Sequence, residues 1–139
     1  MEAFYFKGAE GPLFSIYHPA ASARRPRLAL VYAPPFAEEM NRARRMAALQ
    51  ARRLAELGVD VLLMDPFGTG DSAGDFGDAR WETWRNDIMT GVAWLATRTD
   101  GQVGLWGVRL GALLAADAAA ADPGRIACLI FWQPVLSGD

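Results

Sequence analysis

From residue 28 onward, short and continuously apolar runs alternate with longer segments whose apolar residues recur every three or four positions. Runs of the first kind predict strands covered on both faces, and segments of the second kind predict helices. The predicted strands are 28–34, 59–65, 102–107 and 126–132, and the predicted helices are 39–57, 80–97 and 110–121. This alternation predicts a mostly parallel sheet with helices on both faces.

The first 18 residues follow a different pattern. "AFYFKG" and "LFSIYHP" are strand-like segments on either side of the turn sequence "AEGP". They predict an antiparallel hairpin with strands near 3–8 and 12–18, followed by a polar loop over 20–27. The expected fold class is therefore α/β, with an N-terminal β-hairpin added to the sheet.

Two of the predicted helices carry a clear apolar face. The face of helix 39–57 consists of Ala43, Met46, Ala47, Leu54 and Leu57, and that of helix 80–97 consists of Trp81, Trp84, Ile88, Val92 and Leu95. Gly58 is placed to cap the first helix. The arginines of that helix, at positions 42, 44, 45, 52 and 53, are expected on a solvated face because acidic residues lie close by.

Length and composition limit the class of protein. A chain of 139 residues is expected to form a single domain over 1–139, and its 52% hydrophobic content with a net charge of −2 indicates a globular protein that does not bind nucleic acid. The single cysteine, Cys128, excludes an internal disulfide, fits a cytoplasmic location and is expected to be a buried structural thiol. No signal peptide and no uncharged apolar run of about 18 residues is found, so no membrane span is expected.

The stretch "GLWGVRLGALLA", residues 104–115, has the layout of a nucleophile elbow, in which G-x-S-x-G joins a strand to a helix. Gly107 and Gly111 occupy the positions where a side chain would collide with neighbouring backbone. The central position, where a hydrolase carries its nucleophile, is Arg109. The pattern therefore predicts a retained turn without the nucleophile.

An elbow works together with an oxyanion hole, which uses the N–H after the nucleophile and another from an earlier loop. Leu110 supplies the first. Phe36 is the best donor in "APPFAEEMN", because Pro34 and Pro35 have no N–H. An ordinary strand-to-helix turn explains these residues equally well. No histidine follows the elbow, and the only one in the chain, His18, precedes it, so a triad is incomplete.

A second motif suggests a different chemistry. Gly68 to Ala73 fits G-x-G-x-x-A after a strand, a dinucleotide-binding pattern that requires a helix to begin at the glycines. The helix-breaking residues Gly74, Asp75, Gly77 and Asp78 follow instead. A nucleotide-binding module is therefore the remote alternative. No His/Cys cluster is present and the acids miss the EF-hand pattern, so neither a cofactor nor a metal ion is expected.

Three stretches together resemble one family. "DPFGTGDSAGD" matches the loop D-x-x-G-x-G-x-S-x-G after the fourth strand of α/β-hydrolases, and it is accompanied by "GVRLGALLA" and "PPFAEEMNRARRM". The chain is similar to the N-terminal half of the exosortase-system-associated hydrolases, which are linked to bacterial exopolysaccharide and protein-sorting loci. The resemblance implies strand order 1-2-4-3-5-6, further strands with an acid and a histidine, and arginine as a recurrent residue at the elbow.

Two functions follow as expectations. The first is a hydrolase of the ester or acyl type that acts on an unknown small-molecule substrate. This function is implied by the resemblance alone. The second is a non-catalytic binding or scaffold protein of the same fold. The resemblance also implies that a seventh strand pairs with strand 126–132, whose exposed apolar edge is expected to self-associate or bind a C-terminal partner.

The charge of Arg109 needs a partner or solvent, since the positive end of the following helix disfavours a cation. The acids expected nearby are Glu38, Glu39, Asp65 and Asp71. The alternative is an arginine that faces solvent from a turn kept for packing.

Overall fold

The computed structural model describes residues 1–21 and 28–136, so most of the predicted polar loop lies outside the described residues. Ten elements follow one another along the chain. They are β1 (Glu2–Lys7), β2 (Pro12–His18), β3 (Leu28–Ala33), α1 (Glu38–Glu56), β4 (Asp60–Met64), a 3₁₀ turn (Phe76–Asp78), α2 (Trp81–Ala96), β5 (Gln102–Val108), α3 (Leu110–Ala121) and β6 (Leu129–Trp132).

The six strands form one sheet in the order β1-β2-β4-β3-β5-β6. The hairpin strands β1 and β2 are antiparallel, and β2 joins β4 antiparallel. Strands β4, β3, β5 and β6 are parallel to their neighbours. The predicted α/β class, hairpin and strand order are therefore confirmed.

Helices cover both faces of the sheet because alternate residues of the central strands point to opposite sides. Helix α1 packs on β4 and β2, and α2 and α3 pack together on β3 and β5. Along β3, Ala29 and Val31 belong to the core under α2 and α3, whereas Leu30 and Tyr32 belong to the core under α1. Such two-sided burial explains why β3 reads as a continuous apolar run.

The α1 face differs in part from its prediction. The residues buried from this helix are Met40, Ala47, Ala51 and Ala55, so alanines make up most of its buried face. Leu57, predicted on that face, is 68% exposed because the helix ends before it. Gly58 follows with a φ of 92° and its N–H bonds to the carbonyl oxygen of Ala55 (3.0 Å), which confirms the predicted glycine cap.

Strand β6 lies at the edge of the sheet and is shorter than predicted. Residues 126–128 precede the strand, although the Ala127 N–H donates to the Val103 carbonyl oxygen (2.8 Å). Only β5 pairs with β6 among the described residues. Leu129 and Phe131 are 39% and 41% exposed, so this edge presents apolar side chains to solvent.

Candidate active site

Strand β5 ends at Val108 and α3 begins at Leu110, so a single residue, Arg109, connects them. Its φ of 56° and ψ of −122° are strained for a residue with a side chain. The Arg109 N–H donates to the Trp132 carbonyl oxygen (3.0 Å), and the Val135 N–H donates to the Arg109 carbonyl oxygen (3.3 Å). The connection is thus a sharp, strained strand-to-helix turn held by the segment around β6.

The glycines on either side of the turn are required by close backbone contacts. A Cβ on Gly107 would lie 2.5 Å from the Ala112 Cα, and one on Gly111 would lie 2.5 Å from the Pro34 carbonyl oxygen. Real Cβ atoms essentially never approach other atoms so closely, and backbone atoms cannot move aside as a flexible side chain can. The turn therefore needs both glycines, and it places the start of α3 directly against the chain leaving β3.

The Arg109 side chain reaches the first turn of α1. Its Nε lies 3.6 Å from Glu39 Oε1, and its Nη1 donates a 3.3 Å hydrogen bond to the Gln133 carbonyl oxygen. The two side chains of the ion pair are 43% and 53% exposed, so solvent screens their attraction and its contribution to stability is small. The guanidinium lies between α1 and the segment after β6, and Gln133 was not anticipated from the sequence.

The other three acids considered as partners of the elbow arginine are engaged elsewhere or exposed. Glu38 precedes Glu39 on the helix, and its Oε2 lies 3.8 Å from Arg42 Nη2. Asp65 is buried and pairs with Arg44 at 3.1 Å. Asp71 is exposed, and its N–H donates to the same Asp65 carboxylate (3.0 Å). Arg44, predicted on a solvated face, is therefore a structural partner of the loop after β4.

The predicted oxyanion donors, Phe36 and Leu110, follow the adjacent strands β3 and β5 at the same edge of the sheet. Within residues 1–21 and 28–136, neither backbone N–H has a hydrogen-bond acceptor. Ala37, which precedes α1, has a φ of 56° and a ψ of −130°, close to the values at the elbow. Two helices thus begin at this edge after similarly strained residues, and helix N-termini favour negative charge.

The glycine-rich loop 66–78 is tied to the N-terminal hairpin. Ser72 Oγ donates to the Asp65 carbonyl oxygen (2.5 Å) and accepts from the Phe14 N–H (2.7 Å). The Ala73 N–H donates to the Pro12 carbonyl oxygen (2.9 Å). The serine of the family motif therefore has a structural role in this chain.

The glycines of this loop adopt left-handed backbone conformations rather than starting a helix. The φ values of Gly68, Gly70 and Gly74 are 74°, 49° and 86°. A 3₁₀ turn follows at Phe76 and α2 begins only at Trp81. The helix that a dinucleotide-binding motif requires at its glycines is absent from this described segment, which argues against the nucleotide alternative.

Asp87 is a buried acid that sequence reasoning missed. Its Oδ2 accepts a hydrogen bond from the Phe67 N–H (2.8 Å), and Trp84 Nε1 donates to the Phe67 carbonyl oxygen (2.8 Å). Burial raises the pKa of Asp87 to about 6. Its position three residues after Trp84 and one before Ile88, within the apolar stripe of α2, was the available signal.

Within the described residues, no acid–base pair suited to serine catalysis converges on the elbow. His18 lies on β2, with β4 and β3 between it and β5, and burial lowers its pKa. Asp117 accepts a hydrogen bond from Trp81 Nε1 (2.9 Å) and lies 3.5 Å from Arg85. Asp122 Oδ2 lies 3.8 Å from Arg125 Nε.

The elbow faces an open surface depression of about 370 Å³. It is lined by Pro35, Glu39, Arg42, Ala43, Met46, Val108, Arg109 and Gln133. In the part of the chain that the structure describes, no three His, Cys, Asp or Glu side chains are grouped to hold a metal ion, and no helix is both long and apolar enough to cross a membrane. The depression can accept a small molecule, with charged groups on one side and apolar groups on the other.

Solved structures similar to this chain are α/β serine hydrolases. A lidless α/β serine hydrolase from Xanthomonas campestris has a TM-score of 0.78 at 24% identity, and the match covers 94% of this chain and 59% of that one. A serine hydrolase homologue from Coxiella burnetii has a TM-score of 0.77 at 20% identity, covering 94% and 61%. Est1E from Butyrivibrio proteoclasticus, solved with ferulic acid, has a TM-score of 0.76 at 26% identity, covering 95% and 53%.

The chain thus spans little more than half the length of these hydrolases. No curated protein matches it significantly. The family model of the X-Pro dipeptidyl-peptidases (S15 family) matches residues 14–138, which include the glycine-rich loop, the elbow and β6. The chain therefore belongs to the X-Pro dipeptidyl-peptidase (S15) family and has the α/β-hydrolase fold.

Proposed function

We propose that this chain is a non-catalytic member of the hydrolase family, in which the elbow binds a small molecule instead of attacking one. The observation that carries this proposal is an arginine at the tip of an otherwise intact elbow. Arg109 has the strained backbone of that position, and both flanking glycines are retained. The three motif stretches further support assignment to the exosortase-associated type linked to exopolysaccharide systems.

The chemistry of the guanidinium supports binding over catalysis. Arginine remains protonated at any physiological pH, so it is not a nucleophile and cannot form an acyl intermediate. Its donors are suited to a carboxylate or a carbonyl oxygen, and the N–H groups of Phe36 and Leu110 have no acceptor in the described chain. The Glu39 contact at 3.6 Å is screened by solvent, so an acyl-type ligand can compete for the arginine.

The second candidate is a hydrolase of the ester or acyl type, favoured by the family match and by the likeness to Est1E. Since the chain covers only 53–61% of the similar hydrolases, an acid and a base would come from outside the described residues. This candidate also needs a nucleophile other than residue 109. The two functions differ in one measurable property, the presence of a reactive serine.

A fluorophosphonate probe and a p-nitrophenyl ester assay test the proposal on the 139-residue chain. The same two assays on a full-length relative with arginine at the elbow separate the two candidates, because such a relative also supplies the acid and base that the hydrolase candidate requires. We expect no labelling and no turnover, because loss of nucleophile or base alone costs a triad enzyme about a millionfold in kcat. Arg109→Ser should not restore activity, since no histidine lies near the elbow. Turnover well above a heat-denatured sample that Arg109→Ala abolishes would refute the non-catalytic assignment.

The exosortase association has a separate test. If the gene lies among exopolysaccharide and protein-sorting genes, as the resemblance implies, this part of the proposal is supported. A gene that lies consistently apart from such loci would count against the association, whatever the enzymatic result.

A further inference from the structure

A second cavity lies between α1 and the sheet and shares no lining residue with the elbow depression. Its volume is about 200 Å³. It exists because α1 presents alanines to the sheet here, where larger side chains would fill the gap. The apolar walls are formed by Phe14, Ile16 and Leu63 from the sheet side and by Met40, Ala47 and Ala48 from the helix side.

Tyr32 lines this cavity and brings a hydroxyl to it. Tyr32, on the central strand β3, is only 5% exposed, and its ring packs against Trp106 with centroids 4.6 Å apart. No residue in 1–21 or 28–136 forms a hydrogen bond with the hydroxyl. The hydroxyl is therefore available to donate a hydrogen bond to an acceptor that enters the cavity.

The remaining polar groups of the lining are an ion pair. Arg44 Nη2 donates to Asp65 Oδ2 at 3.1 Å, and the Asp65 side chain is only 7% exposed. The pair carries no net charge, and a second carboxylate would be brought close to that of Asp65. The polar end of the cavity therefore favours a neutral acceptor over an anion.

The volume of the cavity limits the size of the ligand. Apolar protein cavities of about 150 Å³ bind benzene, so a cavity of this volume accommodates an aromatic ring with a short substituent. A single water satisfies one hydroxyl but leaves most of the apolar wall without contacts. A ligand that combines an aromatic ring, a short substituent and a neutral acceptor is a small aromatic carbonyl compound.

We propose that this cavity is a binding site for a small neutral aromatic carbonyl compound, whose oxygen accepts a hydrogen bond from Tyr32 and whose ring packs between α1 and the sheet. The site is independent of the elbow and of any hydrolytic function. Selectivity depends on both the ring contacts and the hydrogen bond. Each of them can be removed by a separate substitution.

The test is a titration of the 139-residue chain with acetophenone, followed by NMR of ¹³C-labelled methionine methyl groups. Met40 and Met64 line the cavity, whereas Met46 lines the elbow depression instead. Saturable shifts at Met40 and Met64, without shifts at Met46, are expected. Ethylbenzene, which lacks the acceptor, and benzoate, which carries a charge, should each bind several-fold more weakly.

Two variants separate the hydrogen bond from the ring contacts. Tyr32→Phe should weaken acetophenone about 2- to 10-fold while leaving ethylbenzene unchanged, the range of a net hydrogen bond. Tyr5→Phe, at a tyrosine that is 57% exposed, is the matched control and should change neither. Ala48→Leu should block both compounds by filling the cavity.

Three results would overturn the proposal: no saturable shift at Met40 and Met64, shifts at Met46 alone, or equal acetophenone affinity in Tyr32→Phe and the parent chain. If Ala48→Leu fails to fold, the tyrosine variant decides the question, because it retains the ring that packs in the core. A failure here leaves the esterase and probe results at the elbow unaffected.

Discussion

Replacing Asp87 by asparagine removes a charge from the core of the fold and should make stability less dependent on pH. The carboxylate is 1% exposed and accepts its hydrogen bond from the Phe67 N–H. An asparagine can place its side-chain oxygen in the same position and keep that bond. The substitution therefore isolates the cost of burying the negative charge.

The magnitude follows from the pKa. Burial is the main cause that raises the pKa of Asp87 to about 6 from 3.8, and the nearby Glu10 carboxylate adds to it. The folded state therefore binds an extra proton between these pH values, and the penalty is present above pH 6 and relieved as pH falls toward 4. A shift of about two pKa units corresponds to about 3 kcal/mol of stability at pH 8.

Urea denaturation from pH 4 to pH 8 measures the effect. The free energy of unfolding of Asp87→Asn should rise relative to the parent chain by about 3 kcal/mol between the two ends of this range. Asp78→Asn, an exposed position on the 3₁₀ turn, is the matched control because it removes the same charge. A difference between Asp87→Asn and the parent chain that is constant with pH would refute the reasoning.

Two further predictions concern the elbow and the sheet edge. Gly111→Ala should destabilise the fold by about 3 kcal/mol, since its Cβ would meet backbone atoms of Ala33 and Pro34, whereas Gly77→Ala has open space and should be nearly neutral in the same thermal or urea unfolding measurement. Equal effects of the two substitutions would contradict the packing argument. We also expect the chain to self-associate through β6, and Phe131→Lys should shift sedimentation or light-scattering profiles toward monomer, whereas Leu49→Lys, at an exposed residue of α1, should not. A monodisperse parent chain at high concentration would rule out this association.

The sheet could be predicted closely because its signals are local. A buried parallel strand requires a continuous apolar run, and each of the predicted strands from residue 28 onward corresponds to an observed one. The elbow was visible because its glycine spacing is a local pattern at a strand-to-helix junction. The contacts that require Gly107 are also local, whereas those that require Gly111 come from Ala33 and Pro34 at the end of another strand. The strand order itself came from the family resemblance, since local patterns do not specify which strands are neighbours.

The partners of charged side chains depended on the tertiary structure. Glu38 and Glu39 are adjacent in sequence, yet successive helix residues point about 100° apart, so the helix orientation decides which one meets Arg109. The same orientation brings Arg44 to Asp65 rather than to solvent. Composition and spacing identify such charges but do not give the rotation of the helix on the sheet.

The sequence by itself determined the alternating elements, the glycine turn around residue 109 and the arginine at its tip, because backbone geometry and residue identity are local properties. Only the tertiary structure decided that Asp87 is buried, that β6 begins at Leu129, and that a cavity lined by Tyr32 and by alanines of α1 lies between that helix and the sheet. These features arise where distant segments pack together, and the depth of burial and the fit between surfaces are set by the whole fold.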